Sequence, residues 1–170
     1  CPYRRIAGLG IWRPTSFFAA TSSGKEQGMN RISLAQAKTI IAHAFDKGAE
    51  LGLKPLTVAV LDPGGHMIAF ERQDGGSYLR HQIAAGKAGG ALALGVSSRK
   101  IGDMATERPG FVGSLGPICP SGVIPAAGGV IIVDAQGGFL GAVGVTGDTS
   151  DNDEICALAG IAAAGLAVQA

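Results

Sequence analysis

Three basic side chains in the middle of the chain are spaced so that they could bind an anion. Arg72 ends a predicted strand, and Arg80 and Lys87 lie on the helix that follows. Arg80, Ala84, Lys87 and Ala91 recur at spacings of four, three and four, which places them on one stripe of that helix. Lys87 therefore stands among small residues. Such a cation either binds an anionic group, such as a carboxylate, or lays its aliphatic stem along apolar surface with its charge in water.

Four acidic residues gather where the last predicted helix begins: Asp148, Asp151, Asp153 and Glu154. Acids in a first helical turn are stabilised by the helix dipole, so capping is one interpretation of the cluster. The other is proton transfer to or from a bound acid, for which a carboxylate must lie within hydrogen-bond reach of the substrate. On that hypothesis the predicted catalytic residues are Lys87, Asp148 and Glu154.

Glycines surround the hairpin that precedes this acidic cluster. Gly128 and Gly129 lead into its first strand, and Gly147 follows its second strand. A strand, a glycine loop and a helix N-terminus together leave backbone N–H groups unpaired, which favours an anion there. We therefore expect this glycine corner to meet the basic side chains at one shared hollow.

Two histidines and a methionine could supply ligands to haem iron, which takes histidine or histidine and methionine in proteins. His81 lies in the first turn of the glycine-rich helix and is the first candidate, while His66 and Met67 stand side by side before it. A solvated surface histidine is the alternative. The three cysteines are too far apart for zinc-binding spacing, so no metal-ion site is predicted. The predicted ligand-binding residues are Arg72, Arg80, His81, Lys87, Gly128, Gly129 and Gly147.

The elements that would position these residues follow from hydrophobic periodicity and turn signals. Ser33 and Gln36 form a capping box that opens the first helix. A segment rich in glycine and proline precedes the final hairpin, and we expect it to be an irregular lid over a pocket. In chain order the pattern predicts helix 34–51, strands 56–61 and 66–72, helices 78–94 and 98–106, the irregular segment 107–125, strands 130–133 and 139–145, and helix 151–168.

The composition predicts one globular domain and excludes several classes of protein. Of the 170 residues, 46% are hydrophobic and 16% are charged, which argues against disorder. A net charge of +1 without a basic cluster gives no electrostatic case for binding nucleic acid. No apolar run reaches the roughly 18–20 residues of a membrane span. Three scattered cysteines without a disulfide framework favour a reducing, cytoplasmic location.

The first 28 residues differ in character from the rest. They carry four basic residues and no acid before Glu26, and Met29 stands just before the first periodic segment. We interpret residues 1–28 as an N-terminal extension or leader and residues 29–170 as the functional domain. An organelle transit peptide is the alternative interpretation of the leader.

Several motifs from about Ile32 to the C-terminus resemble one known family in order and spacing. They are Val60-Leu61-Asp62-Pro63-Gly64-Gly65, then Arg72 and Asp74, Lys87-Ala88, Pro125-Ala126-Ala127-Gly128-Gly129, Gly141-Ala142-Val143-Gly144-Val145-Thr146-Gly147, and Asp153-Glu154. The chain resembles the GlcG/HbpS family of haem-binding-protein-like domains. That family is also found as the C-terminal part of PduO-type corrinoid adenosyltransferases.

The resemblance implies an α+β fold, a profilin-like sandwich in which helices pack on the faces of an antiparallel sheet of about five strands. It also implies a homo-oligomer, a dimer or higher. The two hairpins and the apolar helices predicted from the residues agree with this architecture.

For function, the resemblance implies a protein that binds a small ligand, with haem or a related carboxylated tetrapyrrole as the candidate. Val130 directly follows Gly128-Gly129 and cannot coordinate iron, so iron would have to bind His81, His66 or Met67.

Some relatives are encoded among genes for catabolism of small acids. The alternative is therefore a metal-independent hydrolase, deaminase or isomerase acting on an unsaturated or 2-keto/2-amino organic acid. An accessory protein without chemistry of its own is the third hypothesis. Both ligand-binding hypotheses expect a small anionic partner.

Overall fold

The structure, a computed structural model, describes residues 30–169 as one antiparallel sheet of five strands with five α-helices. The α+β sandwich expected from the sequence is confirmed. The elements are α1 Leu34–Glu50, β1 Thr57–Leu61, β2 Met67–Arg72, α2 Arg80–Leu94, α3 Ser98–Glu107, α4 Pro109–Leu115, a 3₁₀ turn Gly116–Ile118, β3 Gly129–Val133, β4 Phe139–Thr146, α5 Ser150–Ala163 and β5 Ala167–Val168.

Two hairpins build the sheet, and they join through their inner strands. The strand order is β2-β1-β4-β3-β5, and every neighbouring pair is antiparallel. Asp62 and Asp134 close the two hairpin turns by accepting backbone N–H bonds within their own loops. Such aspartate turns are the local signals that made both hairpins predictable.

The two faces of the sheet carry different layers. Helices α1 and α5 cover one face, and the main apolar core lies between them and the sheet, around residues such as Ile41, Val60 and Ile161. Helix α2 covers the other face and packs closely on small residues of the sheet. The closeness is evident at Gly144, where an added methyl group would overlap the carbonyl oxygen of Ala84. This close approach brings α2 side chains near the ends of the strands.

The glycines inside α2 allow a second close contact. Added methyl groups at Gly86, Gly89 and Gly90 would meet Ile124, Ser121 and Val123 respectively. The segment before β3 therefore lies directly on the helix, and the low helix propensity of glycine is offset by this packing. Residues 107–125 are also less irregular than expected, since α4 and the 3₁₀ turn form within them.

Two predicted helix boundaries are wrong. Helix α2 begins at Arg80, two residues later than predicted, and no side chain caps it. Helix α5 begins at Ser150, within one residue of the predicted start, and the Thr149 hydroxyl caps it by accepting from the Asn152 N–H. It ends at Ala163 because Gly165 takes a positive φ of 68° and turns the chain back into β5.

Among residues 30–169, no helix combines the length and the hydropathy that crossing a bilayer requires. The predicted leader, residues 1–28, lies outside the described residues.

Candidate functional site

Lys87 belongs to α2 and is buried against β4 and α5, with only 2% of its surface exposed. Its ammonium group donates to the Asp153 carboxylate at 2.8 Å and to the Val145 carbonyl oxygen at 3.0 Å. Asp153 lies in the first turn of α5 and is also 2% exposed. The sequence placed both residues in candidate clusters but did not predict that they pair.

The environment of this pair shifts both side chains towards their neutral forms. Burial lowers the pKa of Lys87 and raises the pKa of Asp153, although the attraction between the two charges opposes each shift. The second carboxylate oxygen of Asp153 accepts the Asp148 N–H at 3.1 Å. The pair thus ties α2 to the loop between β4 and α5.

The glycine corner lies against the same pair. Gly128 has a φ of 114°, and a methyl group there would lie 3.1 Å from the Lys87 nitrogen. The Gly129 N–H donates to the Ser98 hydroxyl at 2.7 Å, and that hydroxyl donates to the Ala126 carbonyl oxygen at 2.7 Å. The structure therefore brings the cation and the corner together, but two donors of the Lys87 ammonium and the Gly129 N–H are already bonded to protein groups.

Arg80 is held by the end of β4. Its guanidinium donates to the Thr146 hydroxyl at 2.8 Å and, more weakly, to the Gly147 carbonyl oxygen at 3.4 Å. Thr57 lies opposite both Thr146 and Arg72 in the sheet, and its buried hydroxyl has no hydrogen-bond partner among residues 30–169. Arg80 therefore connects the N-terminal end of α2 to the sheet, at the row of polar residues formed by Arg72, Thr57 and Thr146.

The two acids predicted as catalysts contact groups other than Lys87. Asp148 accepts the Thr149 N–H at 2.9 Å and the Asn152 amide at 2.8 Å, and these bonds lower its pKa. Glu154 pairs with Arg99 at 2.7 Å on the exposed side of α5. Their contacts are those of capping and of a surface ion pair, and their assignment to catalysis stays a prediction.

Arg72 and His81 lie together at a surface depression of about 500 Å³, which Phe70 and Glu71 also line. The rings of Phe70 and His81 meet edge to face, with centroids 6.1 Å apart. Arg72 donates to the Ser77 carbonyl oxygen at 3.3 Å, and the His81 Nδ1 lies 3.2 Å from the Tyr78 carbonyl oxygen. Of the predicted ligand-binding residues, these two lie beside open space.

The sequence did not single out Phe70 as part of a site. It shares a strand face with Arg72 because residues two apart point the same way, and that alternation was visible in the sequence. The contact with His81 depends on how α2 sits on the sheet. His66 and Met67, the other candidate iron ligands, line a different and larger groove beside α1.

Comparison with known proteins assigns the family. The family model described as "Haem degrading protein HbpS-like" matches residues 32–162. An uncharacterised 15.0 kDa protein, from the dhaT–dhaS intergenic region of Citrobacter freundii, is 29% identical over 133 residues. That alignment covers 78% of this chain and 92% of the Citrobacter protein.

Solved structures share the fold over most of their length. The structure of HbpS is 27% identical and covers 85% of this chain and 97% of its own, with a TM-score of 0.68. The Klebsiella pneumoniae protein ORFY is 25% identical, covering 84% and 96%, with a TM-score of 0.72. The complex of PduOC with haem is 20% identical, covering 82% and 99%, with a TM-score of 0.72. The family and these relatives support a ligand-binding protein of this type. The chain belongs to the HbpS-like family.

Proposed function

We propose that this protein binds a carboxylated planar ligand of the haem type in the depression beside Phe70, Arg72 and His81. The class of ligand is supported by the description of the family and by the PduOC relative, whose structure contains haem. The volume of about 500 Å³ lies within the roughly 300–1,000 Å³ typical of cofactor sites. Assembly into a dimer or a larger homo-oligomer stays a prediction.

The position of His81 beside Phe70 and Arg72 at the depression is the observation that carries this proposal. A backbone carbonyl oxygen can only accept a hydrogen bond, so in the neutral imidazole the Nδ1 facing Tyr78 must hold the hydrogen. The lone pair is then on Nε2, the nitrogen that histidine commonly offers to metals. The His81 Nε2 would hold an iron tetrapyrrole through its metal, which would supply a centre that binds histidine nitrogen.

The neighbouring side chains suit the rest of such a ligand. Phe70 offers an aromatic edge and is 38% exposed, so an apolar macrocycle would remove its ring from water. Within residues 30–169 the Arg72 guanidinium donates to the Ser77 carbonyl oxygen alone, so its other N–H groups could pair with a carboxylate. Arg80 and Lys87 would support this site from behind through their bonds to β4 and α5.

Haemin titration followed by absorbance tests the proposal. We expect a Soret band on addition of haemin to the wild-type protein, and a lower band at saturation for His81→Ala. Arg72→Ala should weaken binding of haemin roughly 10- to 150-fold, yet leave binding of haemin dimethyl ester unchanged, because one charge-assisted hydrogen bond contributes about 1.5–3 kcal/mol.

His43→Ala is the matched control, because His43 is also exposed and its Nδ1 also lies 3.0 Å from a backbone carbonyl oxygen, that of Thr39. It should bind haemin like the wild type. Equal affinity, band height and stoichiometry in His81→Ala and the wild type would contradict the proposed site.

The buried pair favours a second candidate function, a metal-independent enzyme acting on a small keto or amino acid. Lys87 donates a hydrogen bond to Asp153. Burial lowers the pKa of Lys87 and raises the pKa of Asp153, which favours transfer of a proton between them. Asp153 would take the acid/base role foreseen for Asp148 or Glu154. Turnover of 2-keto, 2-amino or unsaturated acids, observed by NMR and abolished in a Lys87→Met variant that circular dichroism shows to be folded, would support this candidate.

A further inference from the structure

A groove of about 770 Å³ lies beside α1, the helix that packs on the sheet face opposite α2. Its walls come from the chain entering α1 and from the turn and first residues of β2. Leu34 and Met67 line it and are 53% and 47% exposed, so two large apolar side chains border open space. Arg31 lines the same groove and adds one positive charge.

His66 lines this groove, and its imidazole contacts the carboxylate of Asp62. Its Nδ1 lies 3.2 Å from the Asp62 Oδ1, and that same oxygen accepts the Gly64 N–H at 2.9 Å and the His66 N–H at 3.0 Å. This oxygen therefore acts as a hydrogen-bond acceptor throughout the turn.

Because the Asp62 Oδ1 is an acceptor here, the His66 Nδ1 carries the hydrogen in the neutral imidazole and Nε2 carries the lone pair. The side chain is 82% exposed, which leaves Nε2 accessible. Histidines that ligate metals usually donate their other N–H to such a partner, and a carboxylate in that position increases the basicity of the ligand. Asp62 and His66 thus have the arrangement of an axial ligand with its supporting acid.

A bare metal ion does not suit this groove. Among residues 30–169, the His, Cys, Asp and Glu side chains form no group of three or more that could hold one. A metal that brings its own equatorial ligands needs only one or two protein donors, and an apolar groove suits the macrocycle around it.

We propose that this groove is a second metalloporphyrin site, with His66 Nε2 as the axial ligand. Asp62 is its positioning residue, Leu34 and Met67 contact the macrocycle, and Arg31 pairs with a carboxylate. The class of ligand rests on the proposed function, but the residues and the face of the sheet are different from those around His81.

Binding stoichiometry in single and double variants tests this inference. The wild-type chain should bind two haemins, His66→Ala and His81→Ala one each, and the double variant none at these sites. His43→Ala should still bind two. In His66→Ala, added imidazole should restore the spectrum of the lost site. These side chains are exposed, and circular dichroism with thermal melting would verify that each variant folds.

The outcomes separate the two proposals. Two haemins bound to His66→Ala, with an unchanged spectrum, would overturn the groove site and leave the His81 site standing. Loss of haemin in His66→Ala together with wild-type behaviour of His81→Ala would support the groove and refute the proposed function at His81.

The role of Asp62 has its own readout. In the His81→Ala background, Asp62→Asn should weaken haemin binding roughly 10- to 100-fold. It should also lower the stretching frequency of the bond between ferrous iron and histidine, seen by resonance Raman spectroscopy. An unchanged frequency would show that Asp62 serves only the hairpin turn, and would remove it from the site.

Discussion

At the scale of single residues, the molecule contains two kinds of cation. Lys87 is enclosed and has two protein partners, while Arg72 lies at the surface beside open space. Both were predicted ligand-binding residues, because charge and spacing do not report exposure. A buried ion pair is costly to desolvate, so its presence alone is weak evidence for stability. Breaking the pair by removing one residue is destabilising, because the remaining buried charge then has no partner.

We expect Lys87→Met to lower the free energy of unfolding by about 3–5 kcal/mol, because Asp153 would be left as an unpaired buried acid. The double variant Lys87→Met/Asp153→Leu should recover most of that loss. Urea denaturation followed by circular dichroism measures both.

Arg99→Ala serves as the control, since Arg99 pairs with Asp151 and Glu154 at the surface and should cost at most about 1 kcal/mol. A Lys87→Met loss no larger than that of Arg99→Ala would show that the buried pair is not what holds α2 to α5.

At the scale of elements, the approach of α2 to the sheet determines where the basic side chains can point. Gly144 and Gly129 lie under the backbone of α2 at Ala84 and Lys87, closer than any side chain would allow. This contact brings Lys87 to the end of β4 and His81 to Phe70 on β2. The glycines of the sheet are thus as important for the site as its charges.

Gly144→Ala should destabilise the protein by about 1–3 kcal/mol, because its methyl group would overlap the Ala84 carbonyl oxygen. The matched control is Gly113→Ala. Gly113 lies exposed inside α4, and no atom of residues 30–169 comes within 4 Å of an added methyl group, so alanine should stabilise by up to about 1 kcal/mol. Thermal melting distinguishes the two, and equal shifts in the same direction would refute the proposed close contact.

At the scale of the whole molecule, the sheet separates two layers of different chemistry. The layer of α1 and α5 is a continuous apolar core, which includes Cys156. The layer of α2 is thin and contains the buried ion pair. Both proposed ligand sites lie at the surface beyond this core, so their side chains can change with little effect on folding.

Cys156 should make global stability fall in alkali. Burial raises the pKa of its thiol from 9.0 to about 11. In the unfolded chain the thiol ionises above about pH 9, whereas the folded protein retains the proton until about pH 11. The stabilisation is fully present below pH 9 and is lost as the pH rises towards 11, at on the order of 1 kcal/mol per pH unit.

Urea denaturation between pH 8 and 10.5, compared with Cys156→Ala, isolates this contribution from the titration of lysines. The wild type should lose stability more steeply than the variant. Parallel pH profiles would show that the thiol ionises equally easily in both states.

Sequence alone determined the features that depend on neighbours in the chain. Both hairpins, the capping box at Ser33 and the family were predicted because turn residues, caps and alternation act over a few positions. Only the tertiary structure decided that Lys87 meets Asp153, 66 residues away, and that Ser98 satisfies Gly129, 31 residues away. It also decided that the last helix stops early to provide β5 and that the candidate histidines lie in separate cavities. Such contacts depend on strand register and on how closely helices pack, and local periodicity encodes neither.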